Sequence, residues 1–207
     1  MKTASIILAA GQGTRMRSRL AKVLHPLLGK PMLLYALEAA RAAADSAPVL
    51  VIGHAAQEVR AAVEAAGADA LFALQEQQLG TGHAVLSARG AVPADAQLVL
   101  VTCGDMPLLR AETLRQLVNL HEERGGVLTM TSVVGDAPRG FGRILRRADG
   151  SVQAIVEEAA ASPEQWSIRE YNVSAYCFDA QWLWAHLEKI QLSNKKEYYL
   201  TDLVAMA

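Results

Sequence analysis

Apolar residues in the first half of the chain fall into short blocks, separated by longer stretches where they recur every three or four positions. The blocks "ASIILAA", "APVLVIG", "ALFALQ" and "QLVLVTCGD" are nearly continuous and lack the polar alternation of a strand wetted on one side. Such strands are buried on both faces, as in a parallel sheet covered by helices. Between them, "PMLLYALEAARAAA", "AQEVRAAVEAAG" and "GHAVLSARGAV" carry helical patterns. Pro31 lies near one helix start and Gly67 just past the Val59/Val63 face of another, in keeping with helix start and stop signals. The pattern predicts an α/β fold with a Rossmann-like, doubly wound, mostly parallel sheet over residues 1–125.

After the helical "AETLRQLVNLHEER" the pattern changes. The segments "GGVLTMTSVVG", "GFGRILRRADGSVQAIVEE" and "EYNVSAYCFD" are strand-rich, with a turn signal at Asp149-Gly150, and predict a small β-rich lobe over about residues 126–178. Residues 179–207 predict two helices, one over Ala180–Ile190 with Asp179 as its N-cap and one over "NKKEYYLTDLVAMA". Neither an internal repeat nor a Pro/Gly/Ser linker marks a boundary, so residues 1–207 are expected to form a single domain.

Composition narrows the functional classes. Lys plus Arg (20) nearly cancel Asp plus Glu (21), which removes the global basic field of a nucleic-acid binder and makes any anion site local. Cys103 and Cys177 are the only cysteines and lie in apolar stretches, as expected of reduced thiols in the cytoplasm. The apolar run of "MKTASIILAAG" is too short for a secretory signal, and no stretch approaches the ~20 apolar residues of a membrane span. His25, His54, His83, His121 and His186 are scattered and read as structural or surface residues, and Trp182 and Trp184 as helix packing.

Candidate chemistry begins at "AAGQGTRM", a glycine-rich turn between a strand and a basic stretch. Glycines there let backbone N–H groups approach a phosphate beyond the carboxyl end of a strand. A dinucleotide fingerprint would want glycine where Met16 stands and an acid where Gly53-His54 ends the second strand; a Walker A loop would need Gly-Lys-Ser/Thr, which "GQGTRMRS" lacks. Arg15 and Lys22 could neutralise phosphate charge, or could belong, as Arg17 and Arg19 do, to a solvated basic loop.

"LAAGQGTRM" followed by "KVLHPLLGKPM" resembles the signature of the sugar-1-phosphate nucleotidyltransferases, whose nucleotide-diphospho-sugar transferase fold matches the pattern above. With "LQEQQLGTGHA", "GDMPLL" and "EYYLTD" in the same order, the chain resembles in detail the uridyltransferase domain of bacterial bifunctional uridyltransferase/acetyltransferase enzymes. The resemblance implies Mg²⁺-dependent transfer from UTP to N-acetylglucosamine 1-phosphate, giving UDP-N-acetylglucosamine and diphosphate for peptidoglycan and lipopolysaccharide precursors. It assigns Leu8, Ala9, Ala10, Gly11, Gly13 and Lys22 to the nucleotide and its phosphates, and Gln75, Gly80 and Thr81 to the base. Catalysis falls to Lys22, Arg15 and Asp105, with Asp105 also the metal ligand; the sugar falls to Gly142, Glu157 and Asn172.

Several positions depart from that family. Ala21 replaces a proline before the lysine, Cys103 an aromatic residue before "GD", "EAAASPEQ" a Lys-Asp pair, and Asn172-Val173-Ser174 an Asn-Thr-Gly motif. A second metal ligand, an asparagine, and a left-handed β-helix acetyltransferase domain would lie beyond Ala207, which reads as a C-terminal truncation. Full-length members are expected to be homotrimers. The alternatives are a nucleotidyltransferase for another sugar 1-phosphate, such as glucose 1-phosphate with UTP or TTP, and a non-catalytic sugar-nucleotide sensor.

Overall fold

In the computed structural model, residues 1–13, 16–136 and 140–207 are described. Strands β1 (Thr3–Leu8), β4 (Val49–Ile52), β5 (Leu71–Leu74) and β6 (Leu98–Cys103) run parallel in the spatial order β5-β4-β1-β6. The continuous apolar runs are explained by this arrangement. Along β1 and β4, Ile6, Val49 and Val51 pack into one hydrophobic layer, whereas Ile7, Leu50 and Ile52 pack into another on the opposite face. The edge strand β5 is the exception, with Leu71 and Leu74 exposed.

Helices α1 (Met32–Ala43) and α2 (Ala56–Ala65) cover one face. The other layer includes residues of α3 (Thr81–Ala88), α5 (Ala180–Leu187) and α6 (Leu203–Met206). Helix α4 (Ala111–Arg124) packs Leu114, Leu117 and Val118 against Leu98 and Leu100 of β6. Gly67 has φ +63 and its N–H bonds to the Glu64 carbonyl, so it ends α2 as its position predicts. Between β1 and α1 lies a small hairpin of β2 (Pro26–Leu27) and β3 (Lys30–Pro31).

The β-rich segment joins the same sheet through β10 (Glu170–Asp179), which runs antiparallel to β6. One edge of β10 carries β7 (Leu128–Val134) along its length; the other carries β6 and then, at Tyr171, β8 (Arg143–Arg146). β8 pairs with β9 (Val152–Val156) across a turn holding Gly150 at φ +85. A bulge between Asn172 and Tyr176, with Ser174 at φ +56, bends β10 where the two parts meet.

At the end of the chain one expectation fails. Residues 194–199 are not helical; a 3₁₀ turn starts at Leu200 and leads into α6. Their backbone is committed elsewhere: the Tyr198 N–H donates to the Leu79 carbonyl (2.8 Å) and the Tyr198 carbonyl accepts from the Gly82 N–H (2.8 Å). Two adjoining bonds fasten "EYYLTD" to "QLGTG" and take the groups a helix would need. Gly80 sits in this seam at φ +99 and ψ 177, where a Cβ would come within 2.6 Å of the Tyr198 carbonyl oxygen.

Two stability predictions follow from this packing. Asp179 caps α5 by accepting the Trp182 N–H at 2.7 Å, so Asp179→Ala should cost about 1 kcal/mol in urea unfolding and Asp179→Asn much less. Gly80→Ala meets both a forbidden φ and a backbone collision, and should cost at least ~1–3 kcal/mol in the same measurement.

Candidate active site

Parallel strands deliver their carboxyl ends to one edge of the sheet, and the described residues expected at the nucleotide and the metal lie along it. Immediately after β1, the Ala9 N–H bonds to the Val51 carbonyl and the Ala10 carbonyl accepts from the His54 N–H, so the chain leaves the sheet fixed to β4. Ala9 and Ala10 are buried, whereas Gly11 is exposed with open space where a Cβ would lie. Gly13 is different. It has φ +62, and a Cβ there would approach Lys22 Cβ to 2.5 Å, so glycine is what lets the returning strap pass.

That strap brings Lys22, at the start of a 3₁₀ turn over Lys22–Leu24, across the sheet edge. Lys22 Nζ donates to Asp105 Oδ2, pairing two residues that the sequence separates by 83 positions. Asp105 is reached by a tight exit from β6: the Gly104 N–H bonds to the Leu8 carbonyl, and a side chain at Gly104 would collide with Leu33. Both charged groups remain partly open to solvent. Burial and the neighbouring Asp105 carboxylate push the Cys103 thiol up to about 12, so it is an uncharged group beside the pair. Arg17 and Arg19 are exposed, as expected of a solvated loop; Arg15 lies outside the described residues.

One carboxylate does not make a metal cage, and no cluster of three or more His, Cys, Asp or Glu side chains that could hold a metal occurs among the described residues. Asp105 does suit a magnesium ion, which commonly takes one or two carboxylates and completes its shell with water and phosphate oxygens.

Beyond the end of β5, Gln75 is only 3% exposed. Its N–H donates to the Ile52 carbonyl and its carbonyl accepts from Gln78 Nε2 (3.1 Å). The side-chain Nε2 donates to the Gly80 carbonyl (3.1 Å) and lies 3.0 Å from His83 Nδ1. Room for Gln78 comes from Gly53, where a Cβ would lie 2.7 Å from Gln78 Nε2. Thr81, the remaining residue assigned to the base, accepts the Leu200 N–H on its hydroxyl oxygen at 2.9 Å.

The residues assigned to the sugar form a second group, within the β-rich part. Gly142 lies so close to β9 that a Cβ would come within 2.7 Å of Ile155 Cγ2, and its carbonyl accepts the Asn172 N–H. Asn172 Oδ1 accepts the Ser174 N–H at 3.0 Å, which holds the bulge in its left-handed turn. Glu157 accepts from Thr201 Oγ1 at 3.0 Å; burial holds its carboxyl above the usual carboxylate range against that hydrogen bond. Arg143 is buried, stacked 4.6 Å from the Trp166 ring centroid, and donates to the Phe141 carbonyl and Glu158, which braces the turn before Gly142.

Sequence reasoning located these groups but missed what connects them. Leu200 and Thr201 bond respectively to Thr81 at the end of the loop after β5 and to Glu157 beside Gly142, so "EYYLTD" ties two clusters together. His83, read from its isolation in sequence as structural or surface, touches the side chain of Gln75. Its place one turn beyond Gly80, with four-residue helical spacing to Ser87, was the available signal.

Comparison with known proteins gives a consistent result. The chain is 50% identical over 206 residues to the bifunctional protein GlmU of Geobacter metallireducens, covering 99% of this chain and 43% of that protein. It is 48% identical over 205 residues to the bifunctional protein GlmU of Pelobacter propionicus, covering 99% and 44%. It thus spans less than half the length of these curated relatives. A solved UDP-glucose pyrophosphorylase complexed with UDP-glucose superposes with a TM-score of 0.74 at 19% identity, covering 100% of this chain and 86% of that one, so the two share a fold. A family model, the MobA-like NTP transferase domain, matches residues 5–189, and with its glycine turn, its Lys22–Asp105 pair and its sheet this chain belongs to that family.

Proposed function

We propose that this chain transfers the uridylyl group of UTP to N-acetylglucosamine 1-phosphate, producing UDP-N-acetylglucosamine and diphosphate for peptidoglycan and lipopolysaccharide precursors. The observation that carries the reading is the Lys22–Asp105 pair at the carboxyl edge of β1 and β6, on the same edge as the inward-held Gln75 at the end of β5, with β4 lying between β5 and β1. Identity of 48–50% to GlmU proteins over nearly the whole chain supports the same choice of chemistry.

In this reading a phosphate oxygen of the sugar phosphate attacks the α-phosphorus of UTP in line, and the bond to diphosphate breaks. No covalent intermediate with the protein is needed, so the residues act by positioning and by charge. Backbone at Leu8–Gly13 lies against the nucleotide, Lys22 stabilises charge at the α-phosphate, and Arg15 serves the leaving diphosphate. A Mg²⁺ ion held by Asp105, when bound, would neutralise phosphate oxygens. Gln75, Gly80 and Thr81 hold the uracil. Gly142 offers backbone to the sugar, and Glu157 and Asn172 hydrogen-bond its hydroxyl and N-acetyl groups. Whether longer relatives of this chain assemble as trimers in the cytoplasm belongs to the same proposal; among the described residues no helix is long and apolar enough to cross a membrane.

A diphosphate-release assay with UTP and N-acetylglucosamine 1-phosphate tests the reading, run with glucose 1-phosphate, TTP and CTP as competitors for the assignment. Turnover with the first pair should exceed every other pair; equal or greater turnover with glucose 1-phosphate would reassign the acceptor. Binding without turnover would instead support a sugar-nucleotide sensor. In a turning-over protein, Lys22→Ala removes one preorganised cation and should lower kcat by about 10²- to 10³-fold, measured at saturating UTP.

A further inference from the structure

The Gln75 carboxamide has two ends of nearly the same shape and opposite hydrogen-bonding character, and only one of them can be offered to a nucleotide. The Gly80 carbonyl decides which. A carbonyl oxygen only accepts, so the terminal atom of Gln75 that lies 3.1 Å from it must be the nitrogen. This carbonyl is itself immobile: Gly80 is wedged against Tyr198 at φ +99, and its oxygen also accepts the Ala84 N–H in the first turn of α3.

The second amide hydrogen points at His83 Nδ1, 3.0 Å away on the same helix turn. For that contact to be a hydrogen bond, Nδ1 must be bare, with the imidazole proton on Nε2. Both hydrogens of the amide are then committed inward. Gln75 Oε1 accepts nothing among the described residues and is not one of the sealed, unpartnered atoms, so the acceptor is the end that reaches solvent. The main chain of Gln75, bonded through both its N–H and its carbonyl, keeps that oxygen in one place.

We infer that His83 is a positioning residue for base choice: with the Gly80 carbonyl it locks the Gln75 carboxamide so that the site presents a fixed acceptor and selects a base bearing a ring N–H. The inference rests on the reading of Gln75 as a base contact and adds the reason for its selectivity. Uracil and thymine offer N3–H to such an acceptor. Cytosine offers a lone pair at the same position, which leaves two desolvated acceptors facing each other.

The test is nucleotide binding by this 207-residue chain, followed by titration calorimetry with UTP and with CTP in magnesium buffer, together with the ¹⁵N imidazole spectrum of the unliganded protein. The parent should favour UTP and show His83 protonated at Nε2 only. His83→Phe keeps a ring but removes the acceptor, and should cut the UTP-over-CTP ratio about tenfold, mostly through weaker UTP binding. His83→Asn, whose Oδ1 takes nearly the place of Nδ1, should restore most of the ratio. An unchanged ratio in His83→Phe, or a proton on Nδ1 in the parent, overturns the role given to His83. If His83→Phe does not fold, the parent's spectrum still decides. A parent that shows the expected tautomer yet does not prefer UTP overturns instead the reading of Gln75 as a base contact, and the proposal with it.

Discussion

The placing of the loop after β5 against the β-rich part depends on the two main-chain bonds that Tyr198 makes with Leu79 and Gly82. The loop after β5 has few apolar residues of its own to bury, and without a partner its position would be set only by its ends. Tyr198 supplies that partner from the far end of the chain, and the neighbouring residues extend the connection, Leu200 to Thr81 and Thr201 to Glu157. A segment that the sequence pattern reads as a terminal helix therefore fixes the spacing between the loop holding Gln75 and the β-rich part holding Gly142. The requirement at Gly80 is the steric mark of this seam, since a side chain there would occupy the space of the Tyr198 backbone.

The doubly wound core was legible because its signal is compositional. A strand buried on both faces is apolar almost throughout, and "VLVI" and "LVLV" show this without reference to the rest of the chain. The cap at Asp179 and the stop at Gly67 were equally local, each needing only its own helix end. The terminal segment was misread for the converse reason. Residues 194–199 contain good helix formers, but the N–H and carbonyl of Tyr198 are taken by a loop more than one hundred residues earlier, and no local propensity records that.

The candidate site divides along the same line. Its proposed members come from motifs that name residue types, so Lys22, Asp105 and Gln75 could be put forward as candidates from the sequence alone. Their relations could not, because these are contacts between strand ends far apart in sequence. That Lys22 lies on Asp105, that Gly13 is needed to let the lysine strap pass, and that His83 stands against Gln75 all depend on which strand lies beside which. Arg143 illustrates a further kind of silence. Arginine is rarely buried, so nothing in "GFGRILRR" marks it as the residue that fills the lobe between Trp166 and Tyr171.

The Lys22–Asp105 pair also sets the terms on which a ligand can enter. A bare anion that draws Lys22 away leaves the carboxylate to solvent alone, and a bare cation on Asp105 does the same to the ammonium. A phosphate that carries its own cation replaces both halves at once. A ligand that is itself a pair of charges therefore matches this edge of the sheet on both of its halves.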